Sequence, residues 1–322
     1  MRRRDFLGVL GGAAAVWPLA ARAQQGRVPK IGFLYPGNAT ASVSRIAAFR
    51  EGLRSAGFPD DQVELVARSA DGDPKRVASM AAELINLKVD VLIPTSPIAV
   101  QAVRDSTIPI VAFDLETDPV GSGLVASLSH PGGNVTGVFF DFPSFTMKWM
   151  ELLKEAIPQL ANVVVLWDPA TGAVQKTAVE TAAGILKVQL SIIEVRAATD
   201  LDSAFAVAAQ RAPDALLMLS SPLFGTNPKR IADFTLRYKL PAVTLFPDVA
   251  RAGVLMAYGA NLFDAFRQCG VLAAKVLRGA KPAELPIELP AKFELVVNLK
   301  TARILGLSLP SGVLLRADEV IE

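Results

Sequence analysis

From Lys30 onward, short β-rich runs alternate with amphipathic helical stretches, and at Asn162 the same alternation begins again. Nothing else in the 322 residues restricts the fold as much. Strands separated by helices build parallel sheets, and the connecting helices cover both faces of such a sheet. In the first half, residues 30–35, 63–68, 89–94 and 109–113 read as strands. Ile46, Phe49 and Leu53 fall at helical spacing between the first two, and Gly57 stops that helix. Asp73-Pro74 sets a capping residue before a proline at the first helical position, with Val77, Met80, Leu84 and Leu87 following. In the second half, residues 163–167, 190–195, 215–219, 242–246 and 253–258 read as strands. A long amphipathic helix is expected over 261–277, then an extended connection marked by Pro282, Pro286 and Pro290, a strand over 293–298 and a short helix over 299–305.

The halves also repeat each other in detail. Asp90-Val-Leu-Ile-Pro-Thr-Ser96-Pro97 is echoed by Asp214-Ala-Leu-Leu-Met-Leu-Ser-Ser221-Pro222. Ile108-Pro109 is echoed by Leu240-Pro241, Gly123-Leu124-Val125 by Gly253-Val254-Leu255, and Arg68 by Arg196. Occurring in the same order, these echoes predict two similar α/β lobes, each with a parallel sheet.

The N-terminus has the layout of an export signal. Arg2-Arg3-Arg4-Asp5-Phe6-Leu7 is a cationic, twin-arginine-like head, residues 7–20 are apolar, and Ala21-Arg22-Ala23 supplies small residues at a cut site. The apolar stretch falls short of the roughly 20 residues needed to span a bilayer, and Gly and Pro interrupt it. The expectation is a signal over 1–23, removed near Ala23, and a mature protein in the periplasm. Removing it takes away four basic residues and one acidic residue, leaving 29 basic against 30 acidic. The remainder has no basic run interleaved with aromatics, so no nucleic-acid partner is expected.

Cys269 and His130 are each the single residue of their type. One Cys forms no internal disulfide, and the pair cannot build the common His- and Cys-rich zinc sites. A Ser-His-Asp system would have to use His130, which lies in the turn-like His130-Pro-Gly-Gly-Asn134. That turn lacks the helix and the Lys-Ser/Thr of a phosphate cradle. No cofactor, metal or catalytic residue is expected.

In open α/β sheets ligands bind beyond the carboxyl ends of the strands. Two facing lobes would thus enclose a cleft of paired strand ends. In the first half these ends are Tyr35, Thr95, Ser96, Phe113 and Asp114; in the second they are Trp167, Asp168, Ser220, Ser221, Phe246 and Tyr258. Phe140 and Asp141 follow the segment 134–140, read as a crossing between lobes. Aromatic walls, small hydroxyls and carboxylates suit a small organic ligand. Ser96-Pro97 and Ser221-Pro222 are helix starts that suit a ligand carboxylate. Asp114, Asp141 or Asp168 would face an ammonium group. For each serine the alternative is helix capping, for each aspartate a turn, and for each aromatic core packing.

The string Asp118-Pro-Val-Gly-Ser-Gly-Leu-Val-Ala-Ser-Leu-Ser-His-Pro-Gly-Gly-Asn-Val-Thr-Gly137 strongly resembles the ABC-transporter substrate-binding protein family. The likeness is to the branch with a type 1 periplasmic-binding fold that includes tryptophan- and tyrosine-binding members. It continues through Leu255-Met-Ala-Tyr-Gly-Ala-Asn261, Arg278-Gly-Ala-Lys-Pro-Ala-Glu-Leu-Pro286 and Lys292-Phe-Glu-Leu-Val-Val-Asn-Leu-Lys-Thr-Ala302 to Arg316-Ala-Asp-Glu-Val-Ile-Glu322. The resemblance implies two Rossmann-like lobes, a hinge of crossing strands and a ligand enclosed between the lobes. The lobes are expected at 28–138 plus 259–280 and at 139–258 plus 281–322. Family members often carry Asp-Pro-Leu-Phe where this chain has Ser221-Pro-Leu-Phe224, and Tyr-Gly-Pro-Asp where it has Tyr258-Gly-Ala-Asn261; both differences remove a carboxylate.

The function expected is a monomeric periplasmic receptor that passes a small solute, an amino acid or aromatic carboxylate, to an ABC permease in the inner membrane. Two alternatives stay open: an exported enzyme on a related scaffold, and a subunit presenting ligand to a sensor.

Overall fold

The computed structural model describes residues 27–322, so the export-signal reading lies outside the described residues. The first lobe is a five-stranded sheet, entirely parallel, in the order β2-β1-β3-β4-β5. Its strands are β1 (Lys30–Tyr35), β2 (Glu64–Ser69), β3 (Val91–Pro94), β4 (Ile110–Asp114) and β5 (Val135–Phe139). Helices α1 (Ala39–Ser55), α2 (Pro74–Asn86) and α3 (Pro97–Val103) make the crossovers. Asp73 caps α2 by accepting from the Lys75 N–H. The apolar runs of β3 and β4 are buried along their whole length, as a doubly covered sheet requires.

The second lobe is built on seven strands in the order β12-β11-β10-β9-β8-β6-β7. These are β6 (Asn162–Trp167), β7 (Gln189–Glu194), β8 (Ala215–Met218), β9 (Ala242–Thr244), β10 (Met256–Ala260), β11 (Phe293–Asn298) and β12 (Glu319–Ile321). Helix α4 (Phe142–Ala156) leads into β6, and α5 (Val174–Leu186), α6 (Leu201–Gln210), α7 (Pro222–Gly225), α8 (Pro228–Arg237) and α9 (Pro247–Ala252) lie between the strands that follow. The parallel order holds through β10, but β11 pairs with β10 antiparallel. Strand direction leaves no trace in apolar periodicity, and the chain enters β11 from the far lobe rather than through a covering helix.

The sequence echoes mark a shared device. Asp90 accepts the Lys30 N–H at the start of β1, and Asp214 accepts the Ala161 and Asn162 N–H groups at the start of β6. In each lobe one aspartate pins the first strand beside its neighbour.

The chain crosses between lobes three times, after β5, after β10 and before β11. After the second crossing, α10 (Leu262–Leu277) returns to the first lobe and lies on α1. Contact is close because both helices carry glycine at the seam. A Cβ on Gly52 would stand 2.1 Å from the Arg267 carbonyl oxygen, and one on Gly270 2.2 Å from that of Phe49. Cys269 is fully buried beside it, with its thiol directed at the Ala112 carbonyl. The boundary expected at 281 needs correction: residues 283–288 still run along the first lobe. Thr136 donates to the Leu285 and Pro286 carbonyls, and Glu288 bridges to Val138. The return crossing follows Glu288. The second crossing likewise falls at Asn261 rather than 259, because β10 extends to Ala260.

Aromatic side chains fill the place where the crossings meet. Phe145 stands 3.9 Å from Phe140, 4.8 Å from Phe293 and 5.5 Å from Tyr258, centroid to centroid. The Asn261 N–H donates to the Lys292 carbonyl and ties two crossings together.

Candidate functional site

The strand ends of the two lobes meet in a buried polar layer. On the second-lobe side, Ser220 and Ser221 follow β8, Asp168 follows β6, and Gln175 projects from α5; all four are buried. Gln175 donates through Nε2 to the Ser220 carbonyl (2.8 Å) and to Thr171 Oγ1 (2.9 Å), and its Oε1 accepts the Ser220 N–H (2.7 Å). Ser221 Oγ donates to Asp168 Oδ2 at 2.7 Å and accepts the Leu223 N–H that opens α7. Asp168 Oδ1 takes the Ala170 N–H.

On the first-lobe side, Asp114 ends β4 and Glu116 lies two residues further on. Both are buried, Asp114 only 1% exposed and Glu116 5%. Asp114 Oδ1 accepts the Glu116 and Thr117 N–H groups, while its Oδ2 has no partner although it is buried. Glu116 Oε1 accepts from Ser220 Oγ at 2.7 Å. That bond joins the lobes directly, so they stand closed on each other. Burial pushes both carboxyl groups well above the ordinary carboxylate range, and Asp114 pushes Glu116 further by like-charge repulsion. None of Asp114, Glu116 and Asp168 belongs to an ion pair among the described residues.

The residues expected at the cleft divide into those brought here and those used elsewhere. Asp114, Asp168 and Ser221 belong to the layer. Thr95 and Ser96 are buried after β3; Thr95 Oγ1 donates to the Leu34 carbonyl, and Ser96 Oγ accepts the Ala99 N–H as a cap of α3. Tyr35 is buried at the end of β1 with the Arg45 guanidinium 5.1 Å from its ring centroid, and burial raises its phenol pKa. Phe246 packs its ring on Gly225 of α7. Phe140 and Tyr258 are spent on the aromatic cluster at the crossings, and the Tyr258 carbonyl accepts from Trp149 Nε1. Asp141 is exposed and accepts from the Ser144 hydroxyl, apart from the buried layer. His130 is also exposed, in its turn beside Ser129.

Glu116 and Gln175 were not among the residues expected from sequence. Asp114-Leu-Glu116 did carry a signal: two carboxylates, two apart, at the end of a fully apolar strand. Gln175 carried none, being one polar residue in a helix.

An opening of about 230 Å³ lies between the lobes at a different place, lined by Ser44 and Arg45 of α1, Phe266 of α10, and Pro247, Asp248 and Arg251 of α9. Its charged groups already have partners: Arg251 bonds Glu319 and Asp248, and Arg45 bonds the Ala41 carbonyl. The buried layer, which holds an unpartnered carboxylate oxygen, is the stronger candidate.

Comparison with known proteins agrees with this architecture. The family model for ABC transporter substrate binding proteins matches residues 37–321, and the chain belongs to that family. A tyrosine-binding protein of Clostridioides difficile (strain R20291) is 25% identical over 265 residues, 80% of this chain and 75% of the relative. A domain from Streptococcus pneumonia in complex with L-Trp is 25% identical, with TM-score 0.85 over 92% of this chain and 100% of the other. A ligand-free, open substrate binding protein with adhesive properties from Clostridium difficile is 23% identical, with TM-score 0.68 over 91% of this chain and 99% of the other. The fold is that of type 1 periplasmic binding proteins.

Proposed function

We propose that this member of the substrate-binding family captures a small organic solute between its lobes and delivers it to an ABC permease in the inner membrane, working in the periplasm after removal of a signal near Ala23. One observation carries the capture step: the Ser220–Glu116 bond closes the lobes over a polar layer that still contains an unpaired oxygen. In such a receptor, solute contacts to both lobes favour the closed state. The export route and permease rest on the sequence, through the twin-arginine-like head and family membership. Of the two solute classes expected, an amino acid suits the layer better than an aromatic carboxylate, because its ammonium group answers Asp114 and Glu116. Relatives that bind tyrosine and L-Trp support that choice.

A thermal-shift screen of the purified chain across amino acids, amines, aromatic acids and sugars tests this reading, because a solute that binds only the native state raises the melting temperature. A dose-dependent rise with one class is expected. A flat response to the whole panel would remove solute capture. N-terminal sequencing of the periplasmic fraction is expected to begin at Gln24, and an intact Met1 on a membrane-bound species would contradict export.

A further inference from the structure

We infer that the interlobe site takes a cationic ligand, a small molecule bearing an ammonium or guanidinium group, and has no need of a ligand carboxylate. The inference rests on the capture reading above and narrows it. Its geometric basis is the imbalance of the layer. Two carboxyl groups two residues apart are closed off from water and against each other, one with an oxygen that no protein donor reaches and the other with neutral partners only, among them the Ser220 hydroxyl. Taking a carboxylate out of water costs several kcal/mol unless an opposite charge is supplied.

Among the described residues no ion pair supplies one. Glu116 faces Asp114 from its own segment and Ser220 from the second lobe, and beside Ser220 the next charged group is Asp168, also an acid. Two cations at other strand ends are engaged with rings: Arg45 lies over Tyr35 and Lys176 over Trp167, 5.4 Å from the ring centroid. A ligand carboxylate would find no comparable reception. The Thr95 hydroxyl proton is committed to Leu34, Ser96 caps α3, and α3 itself has only seven residues.

With no ligand bound, the missing positive charge is a proton. The raised pKa of the two acids agrees in sign: the closed state binds a proton more tightly than an open, wet one, so acid favours closure and alkali opposes it. Proton and ligand cation thus compete for one role.

Two measurements decide the matter. In thermal-shift titrations at pH 7.5, tyramine (amine only) and 3-(4-hydroxyphenyl)propionate (carboxylate only) present the same ring with opposite charge. Tyramine is expected to raise the melting temperature and the propionate to leave it unchanged, with the rise lost in Glu116→Gln. A rise with the propionate would overturn the inference. Small-angle scattering of the ligand-free chain then removes dependence on the choice of ring. The radius of gyration is expected to increase between pH 5 and pH 8.5 in the wild type and to stay low throughout in Glu116→Gln and in Asp114→Asn. A wild-type radius that ignores pH, with no response to tyramine, would also overturn it. Failure of solute capture has a different signature, namely acid-driven compaction with no response to any solute in the wider screen.

Discussion

On the second lobe's rim, Asp168, Gln175, Ser220 and Ser221 answer one another, and both polar backbone groups of Ser220 are taken by one glutamine side chain. On the first lobe's rim, Asp114 leaves an oxygen bare and Glu116 reaches across the cleft for its side-chain partner. Both rims descend from the same strand–turn pattern, Thr95-Ser96-Pro97 matching Ser220-Ser221-Pro222 in position. The first lobe adds two acids at and just past the end of the next strand, Asp114 and Glu116, where the matching positions of the second lobe are Phe246 and the exposed Asp248. One rim is complete by itself and the other is complete only in company, so the second lobe acts as a rigid base and the first carries the demand for a ligand.

The largest effect expected falls on the self-contained rim. Gln175→Ala strands the buried N–H and C=O of Ser220 and should lower stability by about 2–4 kcal/mol, read by urea unfolding. A near-neutral result would mean that water or the first lobe satisfies these groups, and the contrast between rims would dissolve.

Glu116→Gln should act in the opposite direction. Glutamine keeps an acceptor for Ser220 and removes the buried charge. In the wild type, the stability that the neutral acid contributes is present below the ordinary carboxylate range and falls as pH rises above about 4.5, through the raised pKa. The variant is expected to match the wild type near pH 4.5 and to exceed it by about 1–3 kcal/mol at pH 8, in melting curves across that range. Equal pH slopes in the two proteins would show that Glu116 is not desolvated.

Ser221→Ala removes both the cap of α7 and the partner of Asp168, and should cost about 1–2 kcal/mol. Ser96→Ala removes only the cap of α3 and should cost about 1 kcal/mol, with solute affinity unchanged in calorimetric titration. A loss of affinity at Ser96 would sharpen the comparison differently, by giving the first rim a hydroxyl contact to ligand in addition to its acids.

Much of this was legible in the sequence. Buried parallel strands are short apolar runs, so β1, β3, β4, β6, β8 and β9 stood out, and paired motifs such as Asp90 and Asp214 announced the two lobes. Two kinds of information were not legible. Direction and lobe membership depend on where the chain goes next, which hid the antiparallel β11 and the run of 283–288 along β5. Roles at strand ends depend on partners far away in sequence. Phe140 and Tyr258 look like cleft aromatics by position, yet they pack with Phe145 and Phe293 at the hinge. Glu116 looks like a surface residue after a strand, and only the approach of Ser220, 104 positions along the chain, buries it.

The most direct test is a crystal structure of the chain with the solute that raises its melting temperature most. The ligand nitrogen is expected within hydrogen-bond reach of Asp114 or Glu116, with Ser220 closing from the other lobe. A ligand seated in the opening between Arg45 and Arg251, with its carboxylate on those cations and Asp114 untouched, would contradict it.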